Sequence, residues 1–416
     1  MMKKRLIISL CALASIVAGC AKVDSEPSGE NAWILDESLP VPIQFGGAGQ
    51  IAQTKAAITS LASLEPVYML GIDVKTTKVS SWSANSANVL LNGATGYFGE
   101  SAISDGVNAG KWRYVFGTSS APTKKYYPLE PTFNYNFYGY YIGDQTNSIT
   151  YSGKTAKVNL DMGFTDVLWA EAKVDTPYTV PAQDSESNAC EHAGKTTDGF
   201  NARYARWTKE AGVYDQMLPS LQLGHITTRL HVIAKAKNAD AYNSFFVNSS
   251  PILEINEIRI VGVPTKADLT LADAITDDTS KKGLFTQTEN GTISVLTADL
   301  PKDATHAKTI PTVDGIELCK TGCEGFYLVP GDLEGAKIEV DFTVNDGSPK
   351  QTFTIEDLVE SFDPDEDTFQ AGKEYTIYVI FNEIMEIEIV AALTPWAAGQ
   401  NGTPDNSWDP DNQSYE

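Results

Sequence analysis

The sequence predicts an all-β fold built of sandwich layers, and three observations carry that expectation. Apolar and polar residues alternate at a period of two through many short runs. Gly, Asn, Asp and Pro separate those runs. Helical periodicity is scarce, and its best stretch is Asn201 to Met217. This pattern argues for sheets packed on sheets rather than for a parallel α/β fold.

The elements follow in chain order. In the aromatic block from Lys111 to Ile142, Phe133, Tyr135 and Phe137 fall on one strand face, and Tyr138 and Tyr140 on the other. A polar, turn-rich region at 176–200 interrupts the pattern, and strands resume near Leu221, which puts a domain boundary at Leu218-Pro219. Ile226, Leu230, Val232 and Ala234 share one face of the next strand. Ile338, Val340, Phe342 and Val344 alternate with Glu339, Asp341 and Thr343, meet Asp346-Gly347, and return as Thr352 to Ile355. That is a hairpin, with a turn that tolerates positive φ. Tyr375, Ile377, Val379 and Phe381 alternate with Thr376, Tyr378 and Ile380, so this strand is apolar on both faces and belongs in the middle of a sheet or under a loop. Met385, Ile387 and Ile389 alternate with Glu386 and Glu388.

The N-terminus carries export chemistry. Lys3, Lys4 and Arg5 precede an apolar run from Leu6 to Ala18, too short to span a bilayer and matching the core of a secretory signal peptide. Val17-Ala18-Gly19-Cys20 resembles a lipobox, where the signal is cut before a cysteine whose thiol is acylated. Residues 1–19 then form the signal peptide, and Cys20 is the lipid anchor that opens a polar tether over 20–35. About 400 residues remain, enough for two domains of ordinary size, at 36–219 and 220–396, followed by an acidic polar tail at 397–416. The formal net charge of −23 repels nucleic acid and anionic membrane surfaces, which excludes both as partners.

No catalytic constellation assembles from the residue types present, so the chain is read as a non-enzyme without cofactor or resident metal. His225 and His231 share a strand face but stand about 20 Å apart, too far to hold one metal. Cys190 and His192 with Cys319 and Cys323 match no common zinc spacing. Asp363, Asp365, Asp367 and Glu374 have the spacing of a Ca²⁺ loop, but Thr368 stands where the turn needs glycine, so an acidic loop between strands is the preferred reading. Cys319 and Cys323 can pair across Lys-Thr-Gly in an oxidising compartment. The aromatic block reads as sandwich core in preference to a sugar-stacking platform.

Several segments together resemble the fimbrillin family, the type V pilins of Bacteroidota. They are the lipobox at Cys20, the early strand Val41 to Phe45, Thr54-Lys55-Ala56, Tyr135 to Tyr140, Asp166 to Ala170, Leu223 to Leu230, Gly325 to Pro330 and Phe369 to Tyr375, continuing to Leu393-Thr-Pro-Trp396. The resemblance implies two transthyretin-like β-sandwich domains in tandem and a lipoprotein precursor at the cell outer membrane. It implies a trypsin-like processing protease that cuts between Lys55 and Ala56, and a displaced strand carrying Val41, Ile43 and Phe45. It further implies a donor strand with Met385, Ile387, Ile389, Ala391 and Leu393, and other pilus subunits, self or paralogous, as partners within a surface fimbria. The tail after Trp396 is a poor apolar plug, which is why the donor falls on the preceding strand. A surface ligand, on host or bacterium, is implied without its identity. A surface glycan-binding lipoprotein of a polysaccharide-uptake system is the second expectation, with exposed aromatics such as Trp112 or Tyr140 as its platform.

Overall fold

The computed structural model describes residues 36–48, 64–75, 79–100, 112–129, 133–174, 177–179, 194–210, 217–243, 253–274, 281–300, 313–323, 325–331, 334–344, 349–356, 358, 368–383 and 386–394. The described chain is nearly all β, as expected, and its strands assemble into three principal sheets and two small ribbons.

The first sheet is antiparallel throughout. Its order is Gly224–His225, Leu168–Ala172, Asn136–Tyr141, Val67–Ile72, Val89–Glu100, Trp112–Thr118 and Gly47–Ala48, with Ala121–Thr123 folded back on Trp112–Thr118. Its middle strands are apolar on both faces. Met69 and Phe137 point into one core, while Leu70, Tyr138 and Tyr140 point into another. A sheet of this kind must be covered twice, because pleating sends every second side chain to the opposite side.

The second sheet supplies one cover through a single long strand, Leu253–Asp273. Its first half pairs with Lys337–Val344, which pairs in turn with Gln351–Ile355. Its second half pairs with Thr155–Asp161, followed by Ile149–Ser152. Phe285–Leu296 runs along its opposite side. Ile255, Ile258 and Ile260 belong to one core, and Ala267, Leu269 and Leu271 to another. Register shifts near Ile255 and from Val261 to Lys266 re-phase the strand between the two. Gly262 makes the change of direction possible: its φ is +81°, and a Cβ there would sit 3.1 Å from the Gly335 carbonyl oxygen.

The third sheet faces the first half of that strand. Thr228–Ala236 is central, with Phe326–Leu328 and Ile316–Glu317 antiparallel on one side. Glu374–Glu383 lies parallel on the other side, and Glu386–Thr394 forms the edge beyond it. Leu230, Val232, Tyr375, Ile377 and Phe381 meet Ile338, Val340 and Phe342 across this core. The strand expected to be apolar on both faces is thus interior to its sheet. Lys337–Val344 and Gln351–Ile355 pair as the expected hairpin arms; the turn residues Asp346 and Gly347 lie outside the described residues. Asp341, one of the polar residues alternating along this strand, is buried under Arg259, Lys350 and Thr352. Their hydrogen bonds outweigh the cost of burial and hold its carboxyl well below the usual range.

A helix forms within the expected stretch, over Ala202–Glu210, started by the Asn201 Oδ1, which accepts from the Tyr204 amide at 2.8 Å. Leu218, Leu221 and Leu223 pack into the first core, and Gly224–His225 joins the first sheet. Thr155–Asp161, from before Leu218-Pro219, pairs with Lys266–Asp273, from beyond it.

A strand shared by two cores links their unfolding. Ile258→Ala and Leu269→Ala should each cost about 2–5 kcal/mol and should shift one common calorimetric transition. Two transitions moving independently would contradict the sharing.

Candidate functional site: the seat of the N-terminal strand

The second cover of the first sheet begins with residues 36–48. Val41–Pro42 pairs antiparallel with Tyr126–Tyr127, and Gly47–Ala48 pairs with Trp112–Arg113. Between these short ladders the Ile43 amide donates to the Lys125 carbonyl at 2.8 Å, and the Gly46 amide to the Pro219 carbonyl at 2.9 Å. Pro40 and Pro42 have no N–H, which suits a strand confined to an edge. The segment is held chiefly by its side chains.

Those side chains alternate. Val41, Ile43 and Phe45 are 0%, 5% and 2% exposed, whereas Gln44 faces solvent. Phe45 meets Tyr114, Phe116 and Phe137 edge-on, with ring centroids 5.2, 5.9 and 5.2 Å away. Tyr114 is itself fixed: its hydroxyl donates to the Ala94 carbonyl at 2.9 Å and lies 3.2 Å from that of Val67. Gly96 leaves room for that ring, since a Cβ there would come within 2.3 Å of Tyr114. Full burial of an aliphatic or aromatic side chain is worth about 1.5–3 kcal/mol, so three such anchors outweigh the short ladders. They fill an aromatic slot with a row of alternate residues, the arrangement by which an added strand binds a sheet edge.

The segment starts in a turn. Asp36 Oδ1 accepts from the Ser38 amide at 2.9 Å and from the Ser38 hydroxyl at 2.6 Å, and the Leu39 amide donates to the Asp36 carbonyl at 3.1 Å. Arg206 of the helix donates to the carbonyls of Asp36, Glu37 and Leu39 at 2.8, 3.2 and 2.8 Å. The sequence reading missed Arg206. Its one available signal was a cation amid the apolar residues of the helical stretch.

The remaining candidates are distributed as follows. Cys20, Lys55, Ala56 and Met385 lie outside the described residues, as do Cys190, His192, Asp363, Asp365 and Asp367. Ile387, Ile389, Ala391 and Leu393 lie on the edge strand Glu386–Thr394, paired with Phe381, Val379, Ile377 and Tyr375 of the same chain. Cys319 is a buried thiol whose Sγ lies 3.1 Å from the Gly325 carbonyl oxygen; burial pushes its pKa up, and the Cys323 thiol is its neighbour. Gly322, with φ +87°, turns the chain between the two cysteines. Among the described residues no group of three or more His, Cys, Asp or Glu is placed to hold a metal ion. Nor is any described helix long and apolar enough to cross a membrane.

Tyr114, Tyr127, Tyr135, Phe137, Tyr138 and Tyr140 are buried core residues, Trp112, Phe133 and Tyr141 are half-buried against the first core, and Tyr126 is exposed. Tyr140, named for the glycan reading, is wholly buried and donates to Asn147 Oδ1 at 2.8 Å. The two histidines expected on one strand face lie instead on separate strands, His225 on Gly224–His225 of the first sheet and His231 on Thr228–Ala236 of the third, and serve separate anchors. His225 Nδ1 lies 2.6 Å from Asp166 Oδ2, whose other oxygen accepts from the Thr227 hydroxyl at 2.9 Å. His231 Nδ1 lies 2.9 Å from Glu317, and its Nε2 3.4 Å from Glu374, which also pairs with Arg229 at 3.3 Å. Burial disfavours charge on His231, but its hydrogen bond to Glu317 and its close contact with the Glu374 carboxylate prevail over burial and over the nearby Arg229, raising the pKa to about 9.

No protein-family model and no curated protein matches the chain. Among solved structures it is similar to a candidate cell adhesion protein of Bacteroides uniformis ATCC 8492, at 13% identity and a TM-score of 0.44, covering 86% of this chain and 99% of that one. A second candidate cell adhesion protein, of Bacteroides ovatus ATCC 8483, matches at 14% identity and a TM-score of 0.43, covering 87% and 99%. The fimbrial anchor protein Mfa2 of Porphyromonas gingivalis matches at 11% identity and a TM-score of 0.33, covering 86% and 99%. Identities and TM-scores this low carry nothing over to the function of this chain.

Phe45→Ala should cost about 3–5 kcal/mol in denaturant unfolding; a loss near 0.5 kcal/mol, that of an ordinary surface substitution, would mean the slot is not the anchor. For His231 the folded pKa is raised, so its stabilising contribution is full below about 6.5, the unfolded value, and fades as pH rises through about 9. His231→Gln should flatten the fall in stability across that window; an unchanged profile would contradict the assignment.

Proposed function

We propose that this chain is a structural and adhesive subunit of a pilus, or fimbria, assembled by exchange of β-strands. The observation that carries the reading is the seat just described. An N-terminal segment with three alternate apolar anchors covers one face of the first sheet, yet short ladders tie it to its neighbours. It is the element whose removal leaves a slot that another extended segment can fill.

In this reading Cys20 carries lipid and brings the precursor to the outer membrane. A trypsin-like protease cuts between Lys55 and Ala56, downstream of the seated segment, so that Val41, Ile43 and Phe45 leave together. An open slot exposes apolar pockets and unpaired backbone groups, a state that drives association. A donor strand from a second subunit then fills it, with the stretch from Met385 to Leu393 as this chain's own donor. Support for that choice comes from its position: among the described residues Glu386–Thr394 stands at the edge of its sheet, with one ladder unshared. The sheet pairs flanking the two larger cores are read as tandem transthyretin-like sandwiches that share the long strand. The acidic surface suits an exported protein that binds neither nucleic acid nor anionic membrane. The chain acts as scaffold rather than catalyst, and Cys319 and Cys323 are free to bridge after export.

In producing cells, Lys55→Ala should leave a full-length lipidated precursor at the membrane and abolish detergent-resistant polymer. Normal polymer from that variant would remove Lys55 from the scheme.

A further inference from the structure

We propose that Arg206 is the latch of the N-terminal strand, a positioning residue that sets how readily residues 36–48 leave their seat. The inference deepens the strand-exchange reading and takes its meaning from it, but the geometry is independent of any cut or partner.

The helix Ala202–Glu210 has two arginines in opposite circumstances. Arg203 faces solvent and lies over the Trp207 ring, 5.5 Å from its centroid. Arg206 is 5% exposed and turns inward beneath the start of the chain's first described segment. There the Asp36–Leu39 turn, closed by the Asp36 carboxylate on Ser38, gathers three main-chain carbonyls onto a single guanidinium. Only arginine suits this task. Its planar fork presents several N–H donors at fixed angles and keeps its charge, whereas lysine offers one compact centre. Hydrogen bonds from a charged donor are the strong ones, and they strengthen where water is excluded.

The helix is itself anchored in the first core through Ala202, Tyr204 and Ala205, with Tyr204 edge-on to Phe200 at 5.5 Å. Arg206 therefore ties the turn to a part of the fold that stays when the segment goes. The tie is at the end of the segment remote from Lys55. A cut at Lys55 frees the other end, so after cutting, the guanidinium acts with the three apolar anchors and the sparse backbone bonds to set the rate of departure. With lipid on Cys20, a pull through the tether would also reach the Arg206 clasp before it reached Val41.

The test is amide hydrogen exchange on the uncut soluble chain, comparing wild type with Arg206→Met and Arg206→Lys. Arg206→Met should speed exchange at the Ile43 and Gly46 amides at least about tenfold and leave the amides of Thr228–Ala236 unchanged. Arg206→Lys, which keeps the charge and serves as the test should Arg206→Met fail to fold, should give a smaller increase confined to the same segment. Unchanged exchange at Ile43 and Gly46, or an equal increase in both regions, would overturn the latch. Neither protease nor second subunit enters this experiment, so its failure leaves strand exchange standing, and a failure to polymerise leaves the latch standing.

Discussion

Everything in this molecule follows from the first sheet having large apolar side chains on both faces. Met69 and Leu70 are neighbours in sequence and face different cores, as do Phe137 and Tyr138. Water cannot be left on either side. One face is closed by the long strand Leu253–Asp273, which carries residues from late in the chain across to an early sheet. The other is closed by a composite layer of residues 36–48, the helix Ala202–Glu210 and the Leu218–Leu223 stretch.

The two covers differ in kind. The long strand is bonded along both sides and shared with a second core, so its removal would dismantle both. Residues 36–48 make two-residue ladders, two further amide bonds, three apolar anchors and the contact with Arg206. Such a segment is stable in place through burial and replaceable through its sparse backbone bonding. A strand that can be exchanged needs both properties, and the same contrast separates what must persist in a fibre subunit from what must move.

Much of this was legible in the sequence where contacts are local. Alternation from Ile338 to Val344 and from Tyr375 to Phe381 gave strands with the right faces, and of the crowded tyrosines before Ile142, Tyr114, Tyr127, Tyr135, Tyr138 and Tyr140 are core. The long strand resisted reading because its register shifts break the period of two, so its inward residues run 255, 258, 260 and then 267, 269, 271. Parallel pairing of Thr228–Ala236 with Glu374–Glu383 joins residues far apart in the chain and leaves no local mark. Arg206 was illegible for the same reason: its acceptors lie 167 to 170 residues away. Asp341 is a polar residue of an alternating strand, and only the cross-strand Arg259 with Lys350 and Thr352 explains why a carboxylate is buried there.

The central claim is that the N-terminal strand is a replaceable cover. Its most direct test is limited trypsin digestion of soluble protein beginning at Ala21, followed by intact mass and by gel electrophoresis without heating. The account predicts one early cut after Lys55, loss of the fragment that carries Val41 to Phe45, and a ladder of detergent-resistant species as subunits fill one another's slots. A cut at Lys55 that leaves the fragment bound and the protein monomeric, or cutting at scattered sites with no ladder, would contradict it.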